Sequence, residues 1–180
     1  MIKIENSVLL VIDVQGKLAG MMDDLHYLRH IKAMVKAAQI LDMPIILTEQ
    51  APEKIGSTIP ELTEALKGIA PIIKQSFSCC AEPVFIDAFK RLGRSHVIIT
   101  GIESHVCVYQ TVRDFLNTGY EVYLVVDAVS SRSEHNAKIG IKRSEDEGAT
   151  LTTVEMIITE LIRSTRHPKF REIMALLKNA

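Results

Sequence analysis

Short, continuously apolar runs recur along this chain, each followed by a longer amphipathic stretch. That alternation restricts the fold more than any other feature. The runs are "SVLLVID" (7–13), "MPIILT" (43–48), "GIAPIIK" (68–74), "SHVIITG" (95–101), "YEVYLVVD" (120–127) and the short "ATLTT" (149–153). A strand with one solvated face alternates apolar and polar residues, whereas a strand covered on both faces is apolar throughout. Between the runs, Leu28, Ile31, Val35, Ala38 and Leu41 recur at helical spacing within a segment from about Leu25 to Leu41. Residues 82–92 have the same period, with Pro83 suited to a first turn and Gly93 to a stop. Further helices are expected over 107–118 and 134–147, ending at the caps Gly119 and Gly148, then over 154–164 and over 168–178 behind Pro168. Strand and helix in alternation with short connections predict a three-layer α/β/α sandwich around a six-stranded, mainly parallel sheet. With 180 residues, 47% of them hydrophobic, and no repeat or Pro/Gly-rich linker, the chain reads as a single domain over 1–180.

The charge balance narrows the partners. Lys and Arg total 21 against 22 Asp and Glu, for a net charge of -1. That is no footprint for nucleic acid or an anionic membrane. No apolar run approaches the roughly 18 residues of a membrane helix, and the N-terminal run stops at Asp13, too soon for a signal peptide. The three cysteines are an odd number and Cys79 adjoins Cys80, so a disulfide framework is not indicated and a reducing, cytoplasmic setting is expected. The remaining partners are a small-molecule substrate and another copy of the chain.

Parallel sheets place ligands at the carboxyl ends of their strands. Here those ends carry Asp13, Thr48 with Glu49, Lys74, Gly101 and Asp127, and the fourth strand leads into "IITGIESHVCVYQT" (98–111) and Cys107. Each candidate has a plain structural reading by itself. Asp13 can cap a helix, Lys74 can be a solvated strand end, and Cys107 can be a buried, inert thiol. Together they form a nucleophile, a base and an electrostatic organiser. A thiol at a helix N-terminus beside a lysine is expected to ionise readily, and a neighbouring carboxylate can take its proton and return it to a leaving amine.

Three motifs, "LLVIDVQ" around Asp13, "IIKQSFS" around Lys74 and "ITGIESHVCVYQT" around Cys107, resemble the isochorismatase-like cysteine hydrolases in order and spacing. The likeness extends over about 6–165 and is nearest to the isochorismatase domain-containing proteins. It implies the isochorismatase-like hydrolase fold, Cys107 as nucleophile, Asp13 as base then acid, and Lys74 as third catalytic member. It further implies a cis bond from Ile102 to Glu103, preceded by a close turn at Gly101, that aims the N–H groups of Glu103 and Cys107 at a developing oxyanion. A homo-oligomer is also implied, and Met21, Met22, Val106 and Tyr109 are side chains that a partner copy could cover. The expected reaction is acyl transfer to Cys107 from a small amide, followed by thioester hydrolysis. A vinyl-ether hydrolase of the isochorismatase type and a catalytically idle scaffold are the alternatives.

The family's nicotinamidases hold a metal with histidines after the second strand, but "TEQAPEKIGSTIPEL" has none, so neither metal nor other cofactor is expected. His26 and His30 stand four apart on a helix face, and two imidazoles without a third donor are ordinary surface residues. Gln15 is a candidate for orienting Asp13 or a substrate amide, Phe77 for a pocket wall, and His105 for a proton shuttle. The pocket walls are expected from loops 15–24, 50–60 and 128–133.

Overall fold

The computed structural model describes residues 1–22 and 26–178; the expected helix start at Leu25 lies outside them. A six-stranded sheet of order β3-β2-β1-β4-β5-β6 forms the middle layer. Its strands are β1 (Ser7–Ile12), β2 (Ile45–Gln50), β3 (Ile72–Lys74), β4 (His96–Ile102), β5 (Glu121–Ser130) and β6 (Thr150–Thr152). Every pairing is parallel, so the sheet is wholly rather than mainly parallel. The strand order reverses at β1, and the crevice above β1 and β4 is the place where such sheets receive ligands.

Around the sheet lie α1 (Gly16–Ala19), α2 (His26–Ile40), α3 (Pro52–Ile55), α4 (Pro60–Thr63), α5 (Pro83–Arg91), α6 (Tyr109–Asn117), α7 (Glu134–Asp146), α8 (Val154–Ile162) and α9 (Phe170–Leu177). Successive side chains of β1 serve opposite faces, as the pleat requires. Leu9 and Val11 join Ile31, Met34 and Val35 of α2 with Ile158 of α8 in one core. Val8, Leu10 and Ile12 join Phe85 and Phe89 of α5 with Phe115 of α6 in the other. All six β1 residues are buried, which explains why this run shows no alternation.

Four boundaries depart from the sequence reading, and all four bear on the site. β2 continues to Gln50 because Gln50 pairs with Lys74 across to β3, and β3 itself is only three residues long, beginning just after Pro71, which has no N–H to give a ladder. β5 continues to Ser130 through a register shift opposite Ile99 and Gly101. Asp127 falls inside that irregularity and not at a strand end. Its carboxylate accepts from Val154 N at 3.0 Å, at the start of α8. Finally, Cys107 does not open α6; it lies in a π-helical turn, Ser104–Val108, that precedes it.

Two glycines make that turn possible. Gly101 has φ +126°, and a Cβ there would lie 2.2 Å from the Ile12 carbonyl oxygen. In α7, a Cβ on Gly140 would come within 2.7 Å of the His105 backbone, so this helix packs directly on the π-turn.

Candidate active site

Asp13 follows β1 with φ +52°, an uncommon conformation for a residue other than glycine. Its side chain is fully buried. Thr48 Oγ1, on the neighbouring β2, donates to Oδ1 at 2.8 Å. On the other side, Lys74 Nζ stands 2.7 Å from Oδ2, and its side chain is also wholly buried. The ammonium donates to Gln50 Oε1 at 2.7 Å, Phe77 O at 3.0 Å and Ser76 O at 3.1 Å. Those three acceptors match its three protons, so the contact with Oδ2 is an ion pair and Oδ2 has no aligned donor from the lysine. Burial works against the Lys74 charge, but the Asp13 carboxylate and the nearby thiols outweigh it, and its pKa is raised.

Cys107 completes the group. It is 6% exposed, and it lines one cavity with Asp13, whose carboxylate acts on its thiol. Burial first, and the Asp13 carboxylate second, push this thiol well above its ordinary pKa; Lys74 opposes them without prevailing. Cys107 therefore rests as a thiol, contrary to the ready ionisation expected from a helix start beside a lysine. The physical reason is that the lysine's charge is already matched by Asp13, which itself repels a thiolate. The π-turn is locked by the Glu103 carbonyl, which accepts from Val106 N at 3.1 Å and Val108 N at 3.2 Å. Thr111 Oγ1 donates to Cys107 O at 2.7 Å and accepts from Cys79 N at 3.0 Å. The Ile102–Glu103 peptide is cis.

A cavity of about 200 Å³ opens above Cys107 and Asp13, walled by Leu18, Ile55, Phe77 and Val106. The loops over 15–24, 50–60 and 128–133 each supply one wall, through Leu18, Ile55 and Arg132 respectively. Arg132 pairs with Glu103, whose side chain is 4% exposed: Nε donates to Oε1 and a terminal nitrogen to Oε2 at 3.4 Å.

Phe77, 55% exposed, is a wall of this cavity and not part of the core. Gln15 and His105 are placed otherwise than expected. The Gln15 amide is buried away from Asp13, donating to Gln50 O and Gly56 O and accepting from Gln50 N; with the two bonds from Thr58 to Glu49 Oε1 it ties the 51–58 segment to the end of β2. His105 leaves the cavity: Nδ1 meets Ser131 Oγ at 3.0 Å and Nε2 lies 3.4 Å from Glu103 Oε2. Cys79 and Cys80 are both free, and burial pushes each thiol up to about 12. His30 Nδ1 contacts Asp127 O at 2.6 Å, far in the fold from Cys107. Of the four side chains suggested for a partner copy, Met21 is exposed while Met22 and Tyr109 are buried within the chain.

Sequence reasoning did not assign Thr48, Gln50, Glu103's side chain, Arg132 or Gly140 to the site. Thr48 carried a signal, standing as a polar residue at the end of an apolar run. Arg132 and Gly140 carried none, since a surface arginine and a glycine inside a helix have many ordinary explanations.

The isochorismatase domain model matches residues 7–156. Isochorismatase domain-containing protein 2A of Mus musculus is 38% identical, covering 97% of this chain and 84% of its own. The structure of MAR1 ribonuclease from Caenorhabditis elegans superposes with a TM-score of 0.92 at 40% identity, covering 98% of this chain and 92% of that one. The Escherichia coli YcaC gene product, described as an octameric hydrolase of unknown specificity, has the same fold, with a TM-score of 0.86 at 24% identity over 98% of this chain and 96% of its own. The domain match over residues 7–156, the identity to these relatives and the superposition agree: this chain belongs to the isochorismatase family, with the isochorismatase-like hydrolase fold.

Proposed function

We propose that the protein is a cysteine hydrolase of small amides, with Cys107 as nucleophile, Asp13 as proton carrier and Lys74 as the fixed countercharge. The observation that carries this reading is a buried carboxylate, Asp13, that is ion-paired with Lys74 and lines the same cavity as the Cys107 thiol. Asp13 takes the thiol proton as Sγ attacks the amide carbon, and the carbonyl electrons move to oxygen. The N–H groups of Glu103 and Cys107 receive that oxyanion. As the C–N bond breaks, Asp13 hands its proton to nitrogen and ammonia or an amine leaves. Asp13 then removes a proton from water, whose oxygen attacks the thioester; the acid is released and the thiol restored. Lys74, 2.7 Å from Oδ2, supplies the countercharge to the Asp13 carboxylate through both half-reactions. Neither a metal nor another cofactor enters this scheme.

A polynucleotide substrate, which the name of one relative raises, suits this chain poorly. A net charge of -1 offers no cationic track for phosphates, and the cavity is too small for a nucleotide chain. We further propose a homo-oligomer, in line with the octameric relative and with the exposed Met21, working in a reducing, cytoplasmic compartment that keeps Cys107 free.

The test is ammonia release from a panel of small amides and ureas, with mass spectrometry of the enzyme quenched in acid. Turnover with an acyl adduct on Cys107, both abolished by Cys107→Ala, is the expected result. Isochorismate cleavage retained in Cys107→Ala would instead favour vinyl-ether chemistry with Asp13 as acid. Absence of any turnover or adduct, with Cys107 as unreactive as Cys79, would leave a scaffold.

A further inference from the structure

The cavity's charges are paired off within the protein, and that restricts what can enter. Three ionisable side chains other than Cys107 line it, Asp13, Glu103 and Arg132, and Lys74 lies buried behind Asp13. Lys74 faces Asp13 at 2.7 Å with all three protons directed to other acceptors. Arg132 faces Glu103 through two nitrogens. Gln50, the remaining polar wall, is occupied as well: Oε1 accepts from Lys74 and Nε2 donates to Gln75 O at 2.8 Å. Lys17, next in sequence to the wall residue Leu18, donates from its ammonium to Lys54 O at 3.3 Å. His105, which does not line the cavity, has Nε2 3.4 Å from Glu103 Oε2. The rest of the wall is the apolar group of Leu18, Ile55, Phe77 and Val106.

From this pairing we infer the substrate class: an uncharged amide with a short apolar acyl group. The inference rests on the amide-hydrolase reading and adds charge and size to it. An anionic acyl group would have to leave water for a cavity whose one lining cation, Arg132, already faces Glu103, and a cationic one would find both lining carboxylates paired with Arg132 and Lys74. Burying either charge without a partner is strongly unfavourable. A neutral amide requires only donors for its carbonyl oxygen, which the backbone supplies. At roughly 30 Å³ per water-sized group, 200 Å³ holds about six to seven such groups, enough for an amide with a few carbons.

The test compares alkylation of Cys107 by iodoacetamide and by iodoacetate, reagents of like size that differ in charge, with glutathione as reference. Labelled sites are located by peptide mass spectrometry. Expected is a preference for iodoacetamide at Cys107 at least tenfold greater than the preference glutathione shows. Replacing Glu103 by Gln frees Arg132, and the iodoacetate-to-iodoacetamide ratio is expected to rise several-fold in Glu103→Gln. Ammonia release from butyramide, succinamate and 4-aminobutyramide should follow the same order, with butyramide preferred. A Cys107 that reacts with both reagents in the glutathione ratio overturns the charge inference and leaves the nucleophile standing. A Cys107 that neither reagent labels until the protein is unfolded takes down the parent reading as well.

Discussion

Removing the Lys74 charge while keeping its bulk, as in Lys74→Met, tests whether the buried pair holds this site together. Asp13 then stays in the same dry position with only the Thr48 hydroxyl and the Cys107 thiol for company. Breaking a buried ion pair from one side costs about 3–5 kcal/mol, most of it the burden of the remaining charge. Against a total stability of about 5–15 kcal/mol, that is a large share. With a urea m-value of about 2 kcal/mol/M, the midpoint should fall by roughly 1.5–2.5 M. The double variant Asp13→Asn with Lys74→Met buries no charge and should regain more than half of that loss, giving a favourable coupling energy. The pH dependence has a definite sign. Lys74 binds its proton more tightly folded than unfolded, so its contribution is complete below the unfolded pKa of about 10.4 and lost as pH rises beyond it. The gap between wild type and Lys74→Met should therefore be constant from pH 7 to 9 and close at higher pH. All measurements need one fixed protein concentration if copies associate. A midpoint shift under 0.5 M at pH 7, or a double variant no better than the single one, would refute the claim that Lys74 neutralises a buried Asp13.

Three further outcomes follow from particular contacts. Gly101→Ala puts a methyl group 2.2 Å from a backbone oxygen at φ +126°, where no flexible side chain can yield, and soluble folded protein should be lost or the urea midpoint lowered by more than 1 M. Thr48→Val removes the donor to Asp13 Oδ1 and leaves that buried oxygen unsatisfied, for a loss of about 1–3 kcal/mol of stability and slower Cys107 alkylation, both read in one preparation. Cys79, pushed up to about 12, and Cys107, pushed up further, stay protonated where unfolded thiols ionise. Stability should therefore decline as pH rises from about 8.5, by up to roughly 1.4 kcal/mol per pH unit for each of the two, and denaturation between pH 8 and 11 should show a shallower decline in Cys107→Ala.

The layers were legible because burial on both faces leaves a mark in sequence. Val8 to Ile12 are continuously apolar since helices cover both sides of β1, and Leu28 to Leu41 repeat at 3.6 because only one side of α2 meets the sheet. Asp13 and Lys74 stood out for the same reason, as charges ending runs that water does not reach. What escaped notice depends on distance in sequence. Gly140 is required by the backbone of His105, 35 positions earlier, and Arg132 by Glu103, 29 positions earlier; no local period reports such a meeting. Asp127 misled for a related reason. A carboxylate after "YLVV" looks like the end of a strand until the register shift in β5 and the N–H of Val154 are known.

The ionisation of Cys107 is where local reasoning failed most instructively, and it leads to a test of the mechanism. A lysine near a thiol lowers its pKa, but burial first and a neighbouring carboxylate second can outweigh it, as they do at Cys107. Here Lys74 is matched by Asp13, the same carboxylate that shares the cavity with Cys107 and disfavours its thiolate, so in the proposed mechanism the triad as a whole holds one proton between Sγ and Asp13 and one positive charge beside it. Attack then requires transfer of that proton within the site, without release to water. The fraction of thiolate available for attack is set by this internal equilibrium, in which bulk pH does not appear. An isolated thiol of high pKa behaves differently, since its reactive fraction climbs tenfold with each pH unit. Alkylation of Cys107 by iodoacetamide should accordingly be level from about pH 6 to 8.5 while glutathione, followed in the same tubes, steepens. In Asp13→Asn the internal acceptor is gone, and labelling should be at least tenfold slower at pH 7 and regain an ordinary climb with pH. A wild-type rate that tracks glutathione across this range would mean that Cys107 ionises to solvent, and Asp13 would lose its assignment as the proton carrier.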